Sequence, residues 1–326
     1  MFGEIALNQT ANAEHSIFKT DFGMTFGVVT CFDLMFNTPT VELVKNFNVN
    51  GIVFPTAWFS ELPFLTGKNT QGNSLLNTYF YLFIAAQAQA AWSFGMEVDL
   101  LAAGYNFPQS GSTGSGVYQN GRFNAMILSD EESKLLVAKV NKNEYHSHLT
   151  SYSCGYFTSE ENLNNYMSKE LTLTEDVQTE SMCFGDFCCQ IEYSVLPNSE
   201  ASENVHYQML VFNDYRTHAE TYRGRLQVCG IVACSSSDKQ SCAHNFSKSQ
   251  YSKNVKFSSL NLKANFSSIA AVLPNTLESN YCGPIRSEQY KFSSQNFNKE
   301  SDEYHMQLFH KTGAVHTFAL YGHGFE

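Results

Sequence analysis

Phe26-Gly-Val-Val-Thr30 is a short apolar run that stops at Cys31. Gly51-Ile-Val-Phe-Pro55 and Val98-Asp-Leu-Leu-Ala102 are runs of the same kind further along. Short runs that are apolar on both faces read as strands buried between two layers. A helix is expected between the first two. Thr38 can cap it, Pro39 suits its first position, and Val41, Val44 and Phe47 repeat at helical spacing. Between the second and third runs, the Ala-rich stretch from Ala85 to Phe94 favours helix, and Gly95 is placed to end it. Strands alternating with helices make this part α/β. Gly111-Ser-Thr-Gly-Ser-Gly116 reads as a flexible loop. Val117 to Gln119 and Arg122 to Asn124 then read as a hairpin around an Asn120-Gly121 turn. Leu135 to Val140 is expected to be a further strand.

After His146 the character changes. Ser, Asn and Tyr rise, cysteines accumulate, and short β-like runs dominate, such as Tyr207 to Phe212 and Gly224 to Val232. A domain boundary is therefore expected near residue 145. It separates an α/β unit, 1–144, from a mainly β, disulfide-rich unit, 145–326. With 326 residues, 43% of them hydrophobic and 16% charged, the chain is long enough for two cores. A net charge of -11 without Lys/Arg clusters argues against nucleic acid as a partner. Leu75 to Trp92 approaches the length of a membrane span, but it carries Asn77, Gln87 and Gln89 and has no basic flank, so no membrane segment is expected.

Cys31 stands alone in the first half. The other eight cysteines are Cys154, Cys183, Cys188, Cys189, Cys229, Cys234, Cys242 and Cys282. An even number suits disulfides in an oxidising compartment, and the spacings lack the paired CxxC of zinc ribbons. Cys188 and Cys189, being adjacent, are expected to bond to different partners. The sequons at Asn8, Asn245 and Asn265 agree with secretion. Met1-Phe-Gly-Glu4 has neither a basic nor an apolar stretch of the signal-peptide kind. A disulfide-rich chain with no export signal leads to the expectation that the start of the protein is missing.

Cys31 ends an apolar strand and precedes a predicted helix. That setting exposes a thiol near a helix N-terminus, as a nucleophile requires, although a buried free cysteine gives the same pattern. Here the residues carry a resemblance. Asp21-Phe-Gly-Met-Thr-Phe-Gly-Val-Val-Thr-Cys31-Phe-Asp33 resembles the nucleophile segment of the vanin/biotinidase group within the nitrilase superfamily. Ile52-Val-Phe-Pro-Thr-Ala-Trp58 resembles the pocket strand that follows, and Gly111 to Tyr118 is similar to that group's "TGSGIY" loop. Arg225-Leu-Gln-Val-Cys229 and Phe318-Ala-Leu-Tyr-Gly322 resemble its C-terminal domain. Within that group the chain resembles an N-terminally truncated vanin-like protein of insect type.

The resemblance implies part of an αββα sandwich followed by a mainly β domain. It implies a secreted thiol amidohydrolase that cleaves a linear amide through an acyl-enzyme on Cys31, with no metal or organic cofactor. Pantetheine, cleaved to pantothenate and cysteamine, is the implied small-molecule substrate; biotin amides are the alternative, and a non-catalytic secreted binding module is the reading from another class. The family pairs its cysteine with a Glu base and a Lys that stabilises the oxyanion. Neither Glu4 nor Lys19 sits in a matching motif, so both are read as surface charges and the chain as given is expected to be inactive. Relatives run directly from the "LPFLT" type of segment into the Ala-rich helix. Residues 67–84 are thus an extra segment, read either as a short retained intron, since Gly67-Lys68 fits GGTAAG, or as a loop of one lineage.

Overall fold

A computed structural model describes residues 12–58, 61–64, 85–105, 114–127, 133–140, 159–197, 205–218, 222–243, 255–278, 283–296, 301–309 and 315–325. The extra segment 67–84 and the expected boundary near 145 lie outside these residues, as do Glu4, Asn8, Asn245, Cys154 and Cys282.

The first unit is a six-stranded mixed sheet in the order β1-β2-β3-β5-β6-β7. Its strands are β1 (Ser16–Lys19), β2 (Thr25–Val28), β3 (Gly51–Thr56), β5 (Asp99–Gly104), β6 (Ser115–Gln119) and β7 (Arg122–Ile127). The central strands β2, β3 and β5 are parallel, and the flanking pairs are antiparallel. The short β4 (Glu61–Leu62) pairs with β8 (Ser159–Glu160). Parallel strands need crossovers, and here the crossover into β5 contains the helix α2 (Ala85–Gly95). The hairpin between β6 and β7 turns on Asn120 at φ 48 and Gly121 at φ 76, the left-handed pair that a tight antiparallel turn requires. A Cβ at 121 would also lie 2.4 Å from Phe94 Cβ, so glycine is needed there twice over.

Two sequence expectations fail in this unit. The segment after Cys31 is not one helix capped by Thr38. Cys31–Met35 form a 3-10 turn, Thr38 is extended, Asn37–Val41 form a wide turn, and α1 is limited to Glu42–Lys45. Thr38 precedes a proline, which disfavours helical backbone, and Phe47 lies beyond the helix, half exposed. Leu135 to Val140 is not a strand either. It runs without a ladder across the sheet, with Leu135 88% and Val137 81% exposed. Apolar character alone supplies no hydrogen-bond partner.

The second unit is a sandwich of two antiparallel five-stranded sheets. The middle sheet is β15 (Ala271–Glu278), β18 (Val315–Phe325), β13 (Tyr222–Cys234), β12 (His206–His218) and β9 (Met167–Glu170). The outer sheet is β10 (Gln178–Phe184), β11 (Phe187–Val195), β14 (Phe257–Ser267), β17 (Ser301–Leu308) and β16 (Tyr290–Asn296). Alternate residues of the middle sheet face opposite cores. Met209, Val211, Ile231, Phe318 and Leu320 pack with the outer sheet. Leu210, Phe212, Val228, Ala319 and Tyr321 join a core that also holds Ile52, Phe54, Trp92 and Leu100 of the first unit. Helix α2 thus lies between two sheets, which is why it is apolar nearly all round. Its Gln87 and Gln89 are buried but donate to Asn275 Oδ1 and Gly114 O. Among the described residues no helix is long and apolar enough to cross a membrane.

Cys183 is bonded to Cys188 across the β10–β11 hairpin, and Cys234 to Cys242. Cys189 is bonded to Cys229 and so ties the outer sheet to the middle one. The adjacent Cys188 and Cys189 therefore have different partners.

Candidate active site

Strand β2 ends at Val28, and two residues later the chain turns sharply at Cys31. Cys31 has φ 49, a left-handed conformation that a side-chain-bearing residue adopts only under constraint, at a cost of about 1–3 kcal/mol. The other non-glycine residues with positive φ among those described are Asn48, Glu97, Asn120 and Ser268. None of them carries a thiol. Strained strand-to-turn backbone of this kind lifts a side chain out of the sheet and presents it.

The turn is braced locally. The Asp33 carboxylate accepts from Thr30 N–H at 3.1 Å, and the Thr40 hydroxyl donates to Asp33 O. Cys31 is the free cysteine among the described residues and is half-buried. Its Sγ lies 3.8 Å from Ala57 O, just beyond the end of β3. The thiol thus sits at the carboxyl ends of the parallel strands, where open α/β sheets bind ligands. The residues that follow Cys31 and Ala57, Phe32 and Trp58, hold their rings 6.4 Å apart, and among the described residues the buried Trp58 indole N–H has no hydrogen-bond partner.

Two other titratable groups, Asp99 and Lys19, lie away from the turn. Burial pushes the Asp99 carboxyl up to about 6, but Asp99 opens β5 and so stands at the far end of the sheet from Cys31. Lys19 is exposed at the end of β1. Asn265 is exposed on β14. Among the described residues no group of three or more His, Cys, Asp or Glu is placed to hold a metal ion. One contact has no signal in the sequence. His323, near the end of β18, reaches Met35 O, the last residue of the turn that Cys31 opens.

A half-buried thiol on a strained turn, backed by a disulfide-bridged β-sandwich, defines the class of a mainly β protein with a thiol-bearing mixed sheet packed on an antiparallel sandwich. Comparison with known proteins makes the class specific. The model of the Vanin C-terminal domain matches residues 156–326, and the chain belongs to the vanin family, within the nitrilase superfamily. Vanin-like protein 2 of Drosophila melanogaster is 27% identical over 99% of the chain and 63% of its own length. The Pantetheinase of Homo sapiens is 31% identical over 74% of the chain and 44% of its own length. That of Sus scrofa is 29% identical over 99% of the chain and 58% of its own length. The chain thus spans less than two thirds of these relatives.

Proposed function

We propose that the chain is the nucleophile-bearing and C-terminal part of a secreted, pantetheinase-type thiol amidohydrolase, with Cys31 as its nucleophile. The observation that carries this reading is the Cys31 backbone: a thiol at φ 49 at the carboxyl end of a parallel sheet. The family and the relatives named pantetheinase give the chemistry a direction. The Cys31 thiolate attacks the carbonyl carbon of a linear amide. The C–N bond breaks, the amine leaves with a proton, and a thioester remains. Water then attacks the thioester, releasing the acid and restoring the thiol. For pantetheine the amine is cysteamine and the acid pantothenate; a biotin amide follows the same steps.

In this reading the six-stranded sheet is part of a nitrilase sandwich, and residues 1–326 end one domain and hold another. No residue of 1–326 matches the family's Glu base or its oxyanion Lys. These residues alone are therefore expected to be inactive. A Cys31→Ser variant tests the reading in the polypeptide translated from the complete reading frame. Turnover of pantetheine should fall at least about 10³-fold, with the melting temperature unchanged. Parent protein that folds, binds pantetheine and leaves it intact would favour a non-catalytic binding module instead.

A further inference from the structure

The nucleophile turn is held from two sides. Its own unit supplies the Asp33 and Thr40 braces. The C-terminal sandwich supplies His323, whose Nδ1 lies 2.9 Å from Met35 O. A carbonyl oxygen can only accept, so Nδ1 carries the proton and His323 donates. His323 is fully buried, and its Nε2 has no hydrogen-bond partner among the described residues. Nearby, Lys45 Nζ donates to Ala270 O at 3.0 Å, and Ala270 N–H donates to His323 O at 3.0 Å. The segment from Met35 to Lys45 is therefore pinned at both ends to one place on the middle sheet, where β18 pairs with β15, and the turn from Cys31 to Met35 is held at its last residue.

We propose that His323 is a positioning residue for Cys31: its Nδ1–H fixes Met35 O and, through it, the turn that presents the thiol. The proposal rests on the reading of Cys31 as the nucleophile. The turn is five residues long. A 3-10 turn of that length has poor hydrogen-bond geometry and cannot by itself hold a residue in the left-handed region. The constraint must come from tertiary contacts. Asp33 and Thr40 belong to the same segment and would move with it; His323 belongs to a different layer, 288 positions away, and does not. Tyr321 and Ala319, on the same face of β18, lie in the shared core, so the imidazole is carried on a rigid strand. Burial pushes its pKa down to about 4, so at neutral pH it is a neutral donor with a fixed tautomer. The sandwich thereby sets the geometry of a reaction in which it takes no chemical part.

The test compares two substitutions in the polypeptide translated from the complete reading frame. His323→Asn keeps an amide N–H near the position of Nδ1; His323→Leu keeps the bulk and removes the donor. With pantetheine, kcat should fall about tenfold or more in His323→Leu, with KM unchanged, because the loss is of alignment and not of binding. His323→Asn should stay within about threefold of the parent. Alkylation of Cys31 by iodoacetamide, followed by peptide mass spectrometry, reads the turn without turnover. It should be at least about fivefold faster in His323→Leu, whose thiol is no longer held, and parent-like in His323→Asn. A folded His323→Leu protein with parent-like kcat and alkylation overturns the proposal, as does a His323→Asn protein no better than the leucine variant. If His323→Leu does not fold, the parent decides: ring nitrogen and carbon shifts should report the Nδ1–H tautomer, and an Nε2–H tautomer overturns the proposal. A parent without turnover sinks the amidase reading, and the alkylation and tautomer results still decide the role of His323.

Discussion

Two sheets of this molecule are apolar on both faces, yet they are treated differently. The middle sheet of the sandwich is covered twice, by the outer sheet on one face and by α2 and the turn that Cys31 opens on the other. Among the described residues, the six-stranded sheet has a packed layer on one face. Ile52, Phe54, Leu100 and Tyr118 are buried toward α2, whereas Val53, Leu101 and Val117, on the opposite face, line an open groove of about 650 Å³ crossed by residues 134–140. Stability is therefore concentrated in the sandwich, while the candidate chemistry lies on the half-covered sheet and borrows rigidity from its neighbour.

The largest effect that could sharpen this contrast is loss of the disulfide between the sandwich sheets. Cys189 and Cys229 are both fully buried, so replacing the pair with Ala removes the cross-link and leaves a small void. The cost should be about 2–5 kcal/mol, measured by urea unfolding. A loss below about 1 kcal/mol would mean that the sandwich is not where stability resides.

Glycines give a finer comparison. A Cβ at Gly230, in β13, would lie 2.3 Å from Ala319 Cβ and 2.9 Å from Phe318 O, both fixed by the neighbouring strand. At Gly27, in β2, the nearest atoms are Ile52 Cδ1 at 2.9 Å and Leu43 Cδ1 at 3.0 Å, the ends of side chains that can turn away. Gly230→Ala should cost about 2–3 kcal/mol and Gly27→Ala about 1 kcal/mol or less. Equal costs would break the contrast between a doubly packed sheet and a singly packed one.

The two sheets also respond to acid with opposite sign. His316 and His323, both buried on β18, are pushed down to about 4. The unfolded chain binds protons at about 6.5, so between 6.5 and 4 it gains protons that the folded state refuses. Stability should fall as pH drops through that window, by up to about 1.4 kcal/mol per unit for each histidine. Asp99, half-buried at the groove, is raised to about 6 and works the other way, since the folded state holds a proton that the unfolded chain releases. Two fully buried groups outweigh one partly screened group. The urea midpoint should drop between pH 7 and pH 5, and His323→Asn should remove about half the slope. A midpoint that is flat or rises toward pH 5 would show that the histidines are solvated.

Much of this arrangement was legible in the sequence where the signal is local. The runs at Phe26, Gly51 and Val98 become β2, β3 and β5, because doubly apolar stretches are hard to place anywhere but in a buried sheet. Ala85 to Gly95 is helical to the residue at which glycine ends it. Asn120-Gly121 turns as its dipeptide requires. What failed was partnership. Leu135 to Val140 has strand composition and no neighbour to pair with among the described residues, and Phe47 has helical spacing on a helix that ends at Lys45. At the candidate site, the pattern around Cys31 predicts a strand followed by a helix, whereas the chain makes a 3-10 turn there with Cys31 at positive φ. The contact of His323 with Met35 spans nearly the whole chain, and a lone histidine in an apolar strand gives no hint of it.

The smallest predicted effect bears on the open face itself. Leu135 is 88% exposed, so Leu135→Ser gives up almost no buried area, and its cost should stay within about 0.5 kcal/mol. Leu100 is fully buried on the opposite face of the same sheet, and Leu100→Ala should cost about 2–5 kcal/mol through lost transfer energy and a cavity. The pair compares the segment that crosses the open face with the covered face of the six-stranded sheet, with one residue type and one method, urea unfolding at pH 7. The comparison is worth making in both residues 1–326 and the polypeptide from the complete reading frame. A Leu135→Ser cost that stays small in both means that the face is open to solvent, and the two sheets do differ as described. A cost that rises above about 2 kcal/mol in the longer polypeptide alone means that further chain covers the face there. The six-stranded sheet would then be packed on both sides like the middle one, and its doubly apolar strands would be accounted for by burial rather than left half exposed.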